Sequence, residues 1–342
     1  TAASVTVVNS KDAFGSLVIE KRIADQKEEY VKEEVFSYRV YLESLASGRL
    51  EPYSGPYYLK DADGYYYTPG GKTEITDADS AQPFGSAEGG IIADVVFGLR
   101  IEITKIPSGS NFYVEEITES LSEDRYGDPQ KEVTDTACGK PAHITDAEQK
   151  ISSDGTVLEN GQAQVVITNR LLNWQMIKRS ATSGELLLEG AEFVLIREGE
   201  TEPAYRGISG EGGVLTWKNA AGEAVGTLDI EKGTYTMEEV KAPAGYAVSG
   251  VCWILKFGSK GSVPKVTCKN TENPDAETKV EPTVVKDDAG DDWITFYFDN
   301  EVLYRLPNAG GSGIYWYSIG GTLLMAAAVL ILYKMRCRKP AV

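Results

Sequence analysis

Over residues 1–305 the hydrophobic positions come in short alternating or unbroken runs, separated by Gly, Pro, Asn and Asp. Long runs with a helical period of 3.6 are absent. This pattern predicts strands joined by tight turns, as in all-β sandwiches. The stretch GPYYLKDADGYYYTPGG predicts a hairpin with its turn at Asp63-Gly64. Its DADG run is not an EF-hand calcium loop, which needs Gly at position six and further ligands beyond it. The C-terminus differs. Residues 314–333 read IYWYSIGGTLLMAAAVLILY and contain no charge. A helix of that length, at ~1.5 Å per residue, spans a bilayer. Trp316, Tyr317 and Tyr333 lie at its ends, where amphipathic rings prefer the interface. The tail 334–342 holds Lys334, Arg336, Arg338 and Lys339, so the positive-inside bias puts it in the cytoplasm and residues 1–313 outside.

Three short patterns occur twice in the same order. The first is a strand ending in Lys, at Leu17–Lys21 and Trp174–Lys178. The second is an aromatic-x-apolar-Glu-Glu-apolar strand, at Phe112–Ile117 and Tyr235–Val240. The third is a strand ending in Asn, at Val165–Asn169 and Ile294–Asn300. A fragment of the third, ending at Asn9, opens the chain and reads as the last strand of a preceding module (residues 1–10). Alternation puts Leu17, Ile19 and Lys21 on one face, and likewise Trp174, Met176 and Lys178. Val114 shares a face with Glu116, Met237 with Glu239, and Phe298 with Asn300. If those faces line the cores, each module turns a Lys, a Glu and an Asn inward. Burying a lone charge is very unfavourable, so the trio needs a chemical reason.

Composition narrows the function. A length of 342 residues suits about two domains at ~150 residues each. With 34 Lys+Arg against 51 Asp+Glu, the formal net charge of −17 argues against nucleic-acid binding, which needs a basic footprint. Four Cys, at 138, 252, 268 and 337, are too few and too scattered for a disulfide scaffold; Cys252 and Cys268 read as two buried thiols on neighbouring strands rather than a bridge. His143 is the only histidine, so neither a metal site, a cofactor site nor a Ser-His-Asp triad is expected. The chain begins at Thr1 with no signal peptide, and is read as a fragment or processed chain.

Leu306-Pro307-Asn308-Ala309-Gly310, followed by the apolar span and the basic tail, resembles the cell-wall sorting signal of Gram-positive surface proteins (LPxTG type). The resemblance implies cleavage by a sortase between Ala309 and Gly310, and transfer to peptidoglycan or to another pilin subunit. Ala309 stands where that family has Thr. Gly190–Leu195 and the run Tyr235-x-Met237-x-Glu239-x-x-Ala242-Pro243-Ala244-Gly245-Tyr246 resemble a SpaA-type, collagen-adhesin B-like (prealbumin-like) domain, covering 171–305. Residues 11–170, with LVIEK, FSYRVYL, IPSGSNFYVEE and VVITN, resemble the FctA-like pilin-linkage module. The expected fold class is therefore all-β: tandem Ig-like or prealbumin-like sandwiches, then one transmembrane helix within a sorting signal at 306–342. Val263-Pro264-Lys265 also bears a faint likeness to the pilin-motif lysine.

These resemblances imply intramolecular isopeptide bonds. Burial disfavours the charged form of a Lys, so its amine becomes a nucleophile. A buried carboxyl can donate a hydrogen bond to the carboxamide and shuttle protons as ammonia leaves. A packed core supplies orientation. In the first module Lys21 joins Asn169, assisted by Glu116. In the second Lys178 joins Asn300, assisted by Glu239, with Asn270 as the alternative acceptor. The expectation is a sortase-anchored pilin or adhesin stalk on the bacterial surface, inserted in the membrane before sorting. It performs no turnover, and any host ligand is met by upstream domains. The alternative is a membrane-tethered binding receptor without covalent chemistry.

Overall fold

A computed structural model describes residues 13–77, 79–85, 88–121, 124–136, 141–143, 150–270, 273–303 and 313–336. The expected upstream strand at 1–10 with Asn9, the pentapeptide Leu306–Gly310, Cys138 and the tail beyond Arg336 lie outside them.

The N-terminal part packs two sheets face to face. One holds seven strands in the order Gln130–Thr134, Gln162–Asn169, Phe14–Ile23, Arg100–Pro107, Tyr58–Lys60, Tyr66–Thr68 and Gly71–Lys72. The other runs Gly155–Thr156, Asn111–Glu116, Val35–Glu43 and Leu50–Pro52, with Ile91–Val96 also pairing with Val35–Glu43. Between them lie Leu17, Ile19, Val40, Ile103, Val114 and Val165, all essentially inaccessible. Each such side chain contributes about 1.5–3 kcal/mol through its transfer from water. The expected hairpin forms between Tyr58–Lys60 and Tyr66–Thr68. Gly64 takes φ +91° at its turn, which a side chain would strain. Asp61 closes the turn by accepting the Tyr65 N–H at 2.8 Å.

The second part pairs a three-stranded sheet, Asn173–Ser180, Asp292–Asn300 and Thr283–Lys286, with an eight-stranded one. The latter runs Ala224–Val225, Leu215–Asn219, Pro203–Ser209, Glu192–Arg197, Gly233–Lys241, Val251–Phe257, Lys265–Asn270 and Asn273–Val280. Its core is aromatic: Trp174, Phe193, Tyr235, Trp253, Phe257 and Phe298 are all buried. Trp253 and Phe298 meet edge-to-face with centroids 5.0 Å apart. Cys252 and Cys268 are free thiols, half-buried rather than buried as expected. Cys268 pairs with Trp253, so alternation turns Cys252 to the opposite face and no bridge can form.

In both parts the first and last strands lie side by side and parallel. Phe14–Ile23 pairs with Gln162–Asn169, with Lys21 opposite Ile167 and Ile23 opposite Asn169. Asn173–Ser180 pairs with Asp292–Asn300, with Lys178 opposite Phe298 and Ser180 opposite Asn300. The Lys-to-Asn offset is identical. The two parts meet through backbone: Leu172 donates to the Arg125 carbonyl at 2.9 Å, and Val263 to that of Asp124 at 2.6 Å. Helix Gly313–Arg336 follows, with side chains described over 319–334. Among the described residues, no helix is long and apolar enough to cross a membrane.

Candidate functional site

In the second part Lys178, Glu239 and Asn300 converge between the two sheets. Lys178 and Asn300 come from the three-stranded sheet, and Glu239 faces them from Gly233–Lys241. Alternation along that strand buries Tyr235, Met237 and Glu239 and leaves Glu238 exposed. The Lys178 and Asn300 residues are 0% and 2% accessible, Glu239 6%. Lys178 Nζ donates to Asn300 Oδ1 at 2.5 Å. Asn300 Nδ2 donates to both Glu239 carboxylate oxygens, at 2.9 and 3.0 Å. Lys178 Nζ lies 3.5 Å from Glu239 Oε1. The carboxyl therefore sits at the carboxamide nitrogen, the group that leaves when an amine displaces ammonia.

Neighbours hold this arrangement. The Ser249 N–H donates to Glu239 Oε2 at 2.6 Å. The Phe193 ring lies under Lys178 Nζ, 5.6 Å from centroid to nitrogen. Gly213 approaches so closely that a Cβ there would lie 2.4 Å from the Lys178 carbonyl oxygen. The Ala242–Tyr246 turn docks against the end of the Asn300 strand. Ala247 donates to the Glu301 carbonyl, and Leu303 to that of Gly245, both at 3.0 Å. Burial lowers the Lys178 pKa to about 8 although Glu239 pulls it upward. A share of neutral amine is thus present near neutral pH. Asn270 lies in the eight-stranded sheet, its backbone paired with Val251 and Asn273.

The first part repeats the layout with one difference. Lys21 Nζ lies 2.6 Å from Glu116 Oε1, with both side chains inaccessible. The Phe36 ring sits 4.8 Å from the nitrogen. Burial again lowers the lysine's pKa to about 8, against the opposing pull of Glu116. Asn169 is fully buried, yet neither its Nδ2 nor its Oδ1 has a hydrogen-bond partner among the described residues. Beside it opens a cleft of about 560 Å³, lined in part by Glu116, Tyr126, Asp128 and Pro129. The amine and carboxyl are paired; the carboxamide is engaged by neither.

The strand alternation was sufficient to place these six side chains on inward faces. It carried no signal for the Ser249 N–H, ten residues beyond Glu239, or for the Gly213 contact with Lys178. Lys265 is an exposed residue next to an apolar cleft of about 590 Å³ that also includes Val263, Pro264 and Phe296. Among the described residues no cluster of His, Cys, Asp and Glu is arranged to hold a metal.

Comparison with known proteins gives one family match and several similar structures. Residues 173–272 match the family described as SpaA, a prealbumin-like fold domain. No curated protein matches the chain. Among solved structures it is similar to the Bacillus anthracis TIE protein, at 14% identity and TM-score 0.26, covering 84% of this chain and 51% of that one. It is also similar to the major pilin of Streptococcus pyogenes, at 14% identity and TM-score 0.27, covering 46% and 48%. A C-terminal fragment of the Lactobacillus rhamnosus GG pilus adhesin SpaC is matched over its full length and 87% of this chain, at 15% identity and TM-score 0.30. The chain spans about half the length of the first of these. The SpaA match takes in Lys178 and Glu239 and stops short of the closing strand that carries Asn300. The family match lies within the second part of the chain, over residues 173–272.

Proposed function

We propose that the chain is the wall-proximal stalk of a Gram-positive surface pilin or adhesin, in which each β module is locked by a Lys–Asn isopeptide bond. The observation that carries this reading is the inaccessible Lys178–Asn300–Glu239 constellation, with amine, carboxamide and carboxyl in mutual contact. Three such groups have no favourable reason to share an apolar core unless they react. A proton passes from the Lys178 ammonium to Glu239, and the neutral amine attacks Asn300 Cγ. Glu239 returns the proton to Nδ2, ammonia leaves, the second amine proton passes to Glu239, and a neutral amide remains. Orientation within the packed core supplies much of the barrier reduction. Lys21, Glu116 and Asn169 do the same in the first module. The reaction runs once per site and turns over no substrate.

The topology gives the bonds a mechanical purpose. Both tie the first strand of a module to its last, across spans of 122 residues for Lys178–Asn300 and 148 for Lys21–Asn169 (169 − 21). By the chain-entropy account of cross-links, loops that long contribute ~4–5 kcal/mol. Force enters and leaves through those two strands, so a covalent link between them carries load that hydrogen bonds would otherwise bear. The modules extend over 11–170 and 171–305, and 306–342 is the sorting signal. In this reading the uncharged run at 314–333 is the segment held in the membrane before a sortase cleaves after Ala309. Intact mass is the direct test of the bonds. The reading expects a deficit of two ammonia molecules, and a mass equal to the unmodified chain would sink it. Extraction tests the anchoring: wall-linked protein is released by muramidase, whereas full-length chain recovered with detergent would favour a membrane-tethered receptor.

A further inference from the structure

Asn169 is flanked by two lysines. Its strand, Gln162–Asn169, has Phe14–Ile23 on one side and Gln130–Thr134 on the other. Lys21 is registered with Ile167 from the parallel side, and Lys131 with the same Ile167 from the antiparallel side. Paired residues share a face, so Lys21, Ile167 and Lys131 form a row pointing towards the opposite sheet. Asn169 lies two residues on, on that face, diagonal to both lysines; diagonal pairs are within reach of long side chains. Backbone position alone does not choose between them.

Their carboxylate partners do. Lys21 is paired with Glu116, next to the carboxamide cleft. Lys131 Nζ is drawn the other way, 2.6 Å from Asp154 Oδ1 and 2.8 Å from the Val114 carbonyl. It also lies 4.3 Å from the Tyr113 ring centroid. Asp154 is itself fixed: its side chain is 8% accessible, and its Oδ2 accepts the Val114 N–H at 2.7 Å. The second module has no such duplication. There the outer neighbour of the acceptor strand is Thr283–Lys286, whose register ends at Thr283 opposite Thr295, short of Phe298.

We propose that Asp154 is a specificity-determining residue of the first module: it anchors Lys131 away from Asn169, leaving Lys21 as the only amine that condenses. The inference rests on the reading of Lys21 and Asn169 as a cross-linking pair. Either lysine would form the same bond, Nζ to Cγ of Asn169, with loss of Nδ2 as ammonia and Glu116 carrying the proton. Glu116 is left in place in every variant, so the choice of amine is isolated from the chemistry.

The test is peptide mapping with intact mass on the full chain. The unaltered protein should give a Lys21–Asn169 peptide; its absence would remove the underlying reading before Asp154 is considered. Lys21→Ala should lose that link and form no other, with one ammonia regained in mass. Lys21→Ala combined with Asp154→Asn should form a Lys131–Asn169 peptide and lose that ammonia again. Asn preserves the side chain's shape and its acceptor for the Val114 N–H. Asp154→Asn with Lys21 intact should give a mixture of the two links, which covers the case in which the double variant does not fold. A Lys131–Asn169 link in Lys21→Ala alone would overturn the proposal. So would Asp154→Asn, with Lys21 intact, giving only Lys21–Asn169.

Discussion

The two modules present the same trio of side chains in two arrangements. In the second, the Asn300 carboxamide bridges amine and carboxyl, its oxygen on Lys178 and its nitrogen on Glu239. In the first, Lys21 and Glu116 hold each other and the Asn169 carboxamide is buried beside a cleft without a partner. The offset of Asn from Lys along the parallel strands is the same in both, so backbone register is not the difference. The surroundings are. Glu239 accepts the Ser249 N–H, and Phe193, registered opposite it, joins an aromatic cluster with Trp253 and Phe298. A pairing scheme that places three groups is therefore distinct from a packed shell that orients them.

The largest effect expected from breaking this comparison is at Glu239. Glu239→Ala removes the proposed proton carrier and leaves Lys178 beside Asn300 as an uncompensated buried amine. Removing one member of a buried pair costs about 3–5 kcal/mol, and the ~4–5 kcal/mol of loop closure is lost with the bond. The second module should melt far lower and lack the Lys178–Asn300 peptide, whereas the first keeps its link. A cross-linked peptide surviving in that variant would show that Glu239 is dispensable.

Next is the order of closure. Engagement of Asn300 predicts that its link forms before the one at Asn169. Time-resolved intact mass on freshly refolded chain, followed by mapping of the first product, should find Lys178–Asn300 first. The reverse order would mean that the cleft at Asn169 helps more than preorganisation does.

The pH dependence should be shared. Both lysines have folded pKa values of about 8 against an ordinary 10.5, so closure should accelerate as pH rises towards about 8. In Asn300→Ala the unreacted lysine remains. Between about 8 and 10.5 the unfolded chain binds the proton that the folded one has released, so stability rises with pH through that window. Below it both states are protonated and the penalty of a buried ammonium is full. Denaturant titrations at either end of the window check the sign.

The smallest effect is at the neighbouring carboxylate. Glu238 is exposed on the outer face, so Glu238→Ala should leave the bond intact and shift stability by no more than about 0.5 kcal/mol. A lost link would mean that the strand register is reversed.

Much of this was legible in the chain itself. A period of two is a property of any strand, so repeated strand patterns ending in Lys, Glu-Glu and Asn could assign each residue a face without knowledge of its neighbours. The hairpin at Gly64 followed from turn chemistry, which is equally local. The pairing of first and last strands, their parallel sense and the two-residue offset were decided only by tertiary structure, because register between strands more than a hundred residues apart depends on how whole sheets pack. The Gly213 approach to Lys178, the second lysine beside Asn169, and even the Ser249 N–H on Glu239 only ten residues away, likewise depend on how the elements pack. Lys131 reads in sequence as one charge in a polar edge strand. Only its register opposite Ile167, and the carboxylate of Asp154 arriving from another loop, make it a rival amine held in check. Local geometry determined which way each side chain faces; long-range packing decided what it meets there.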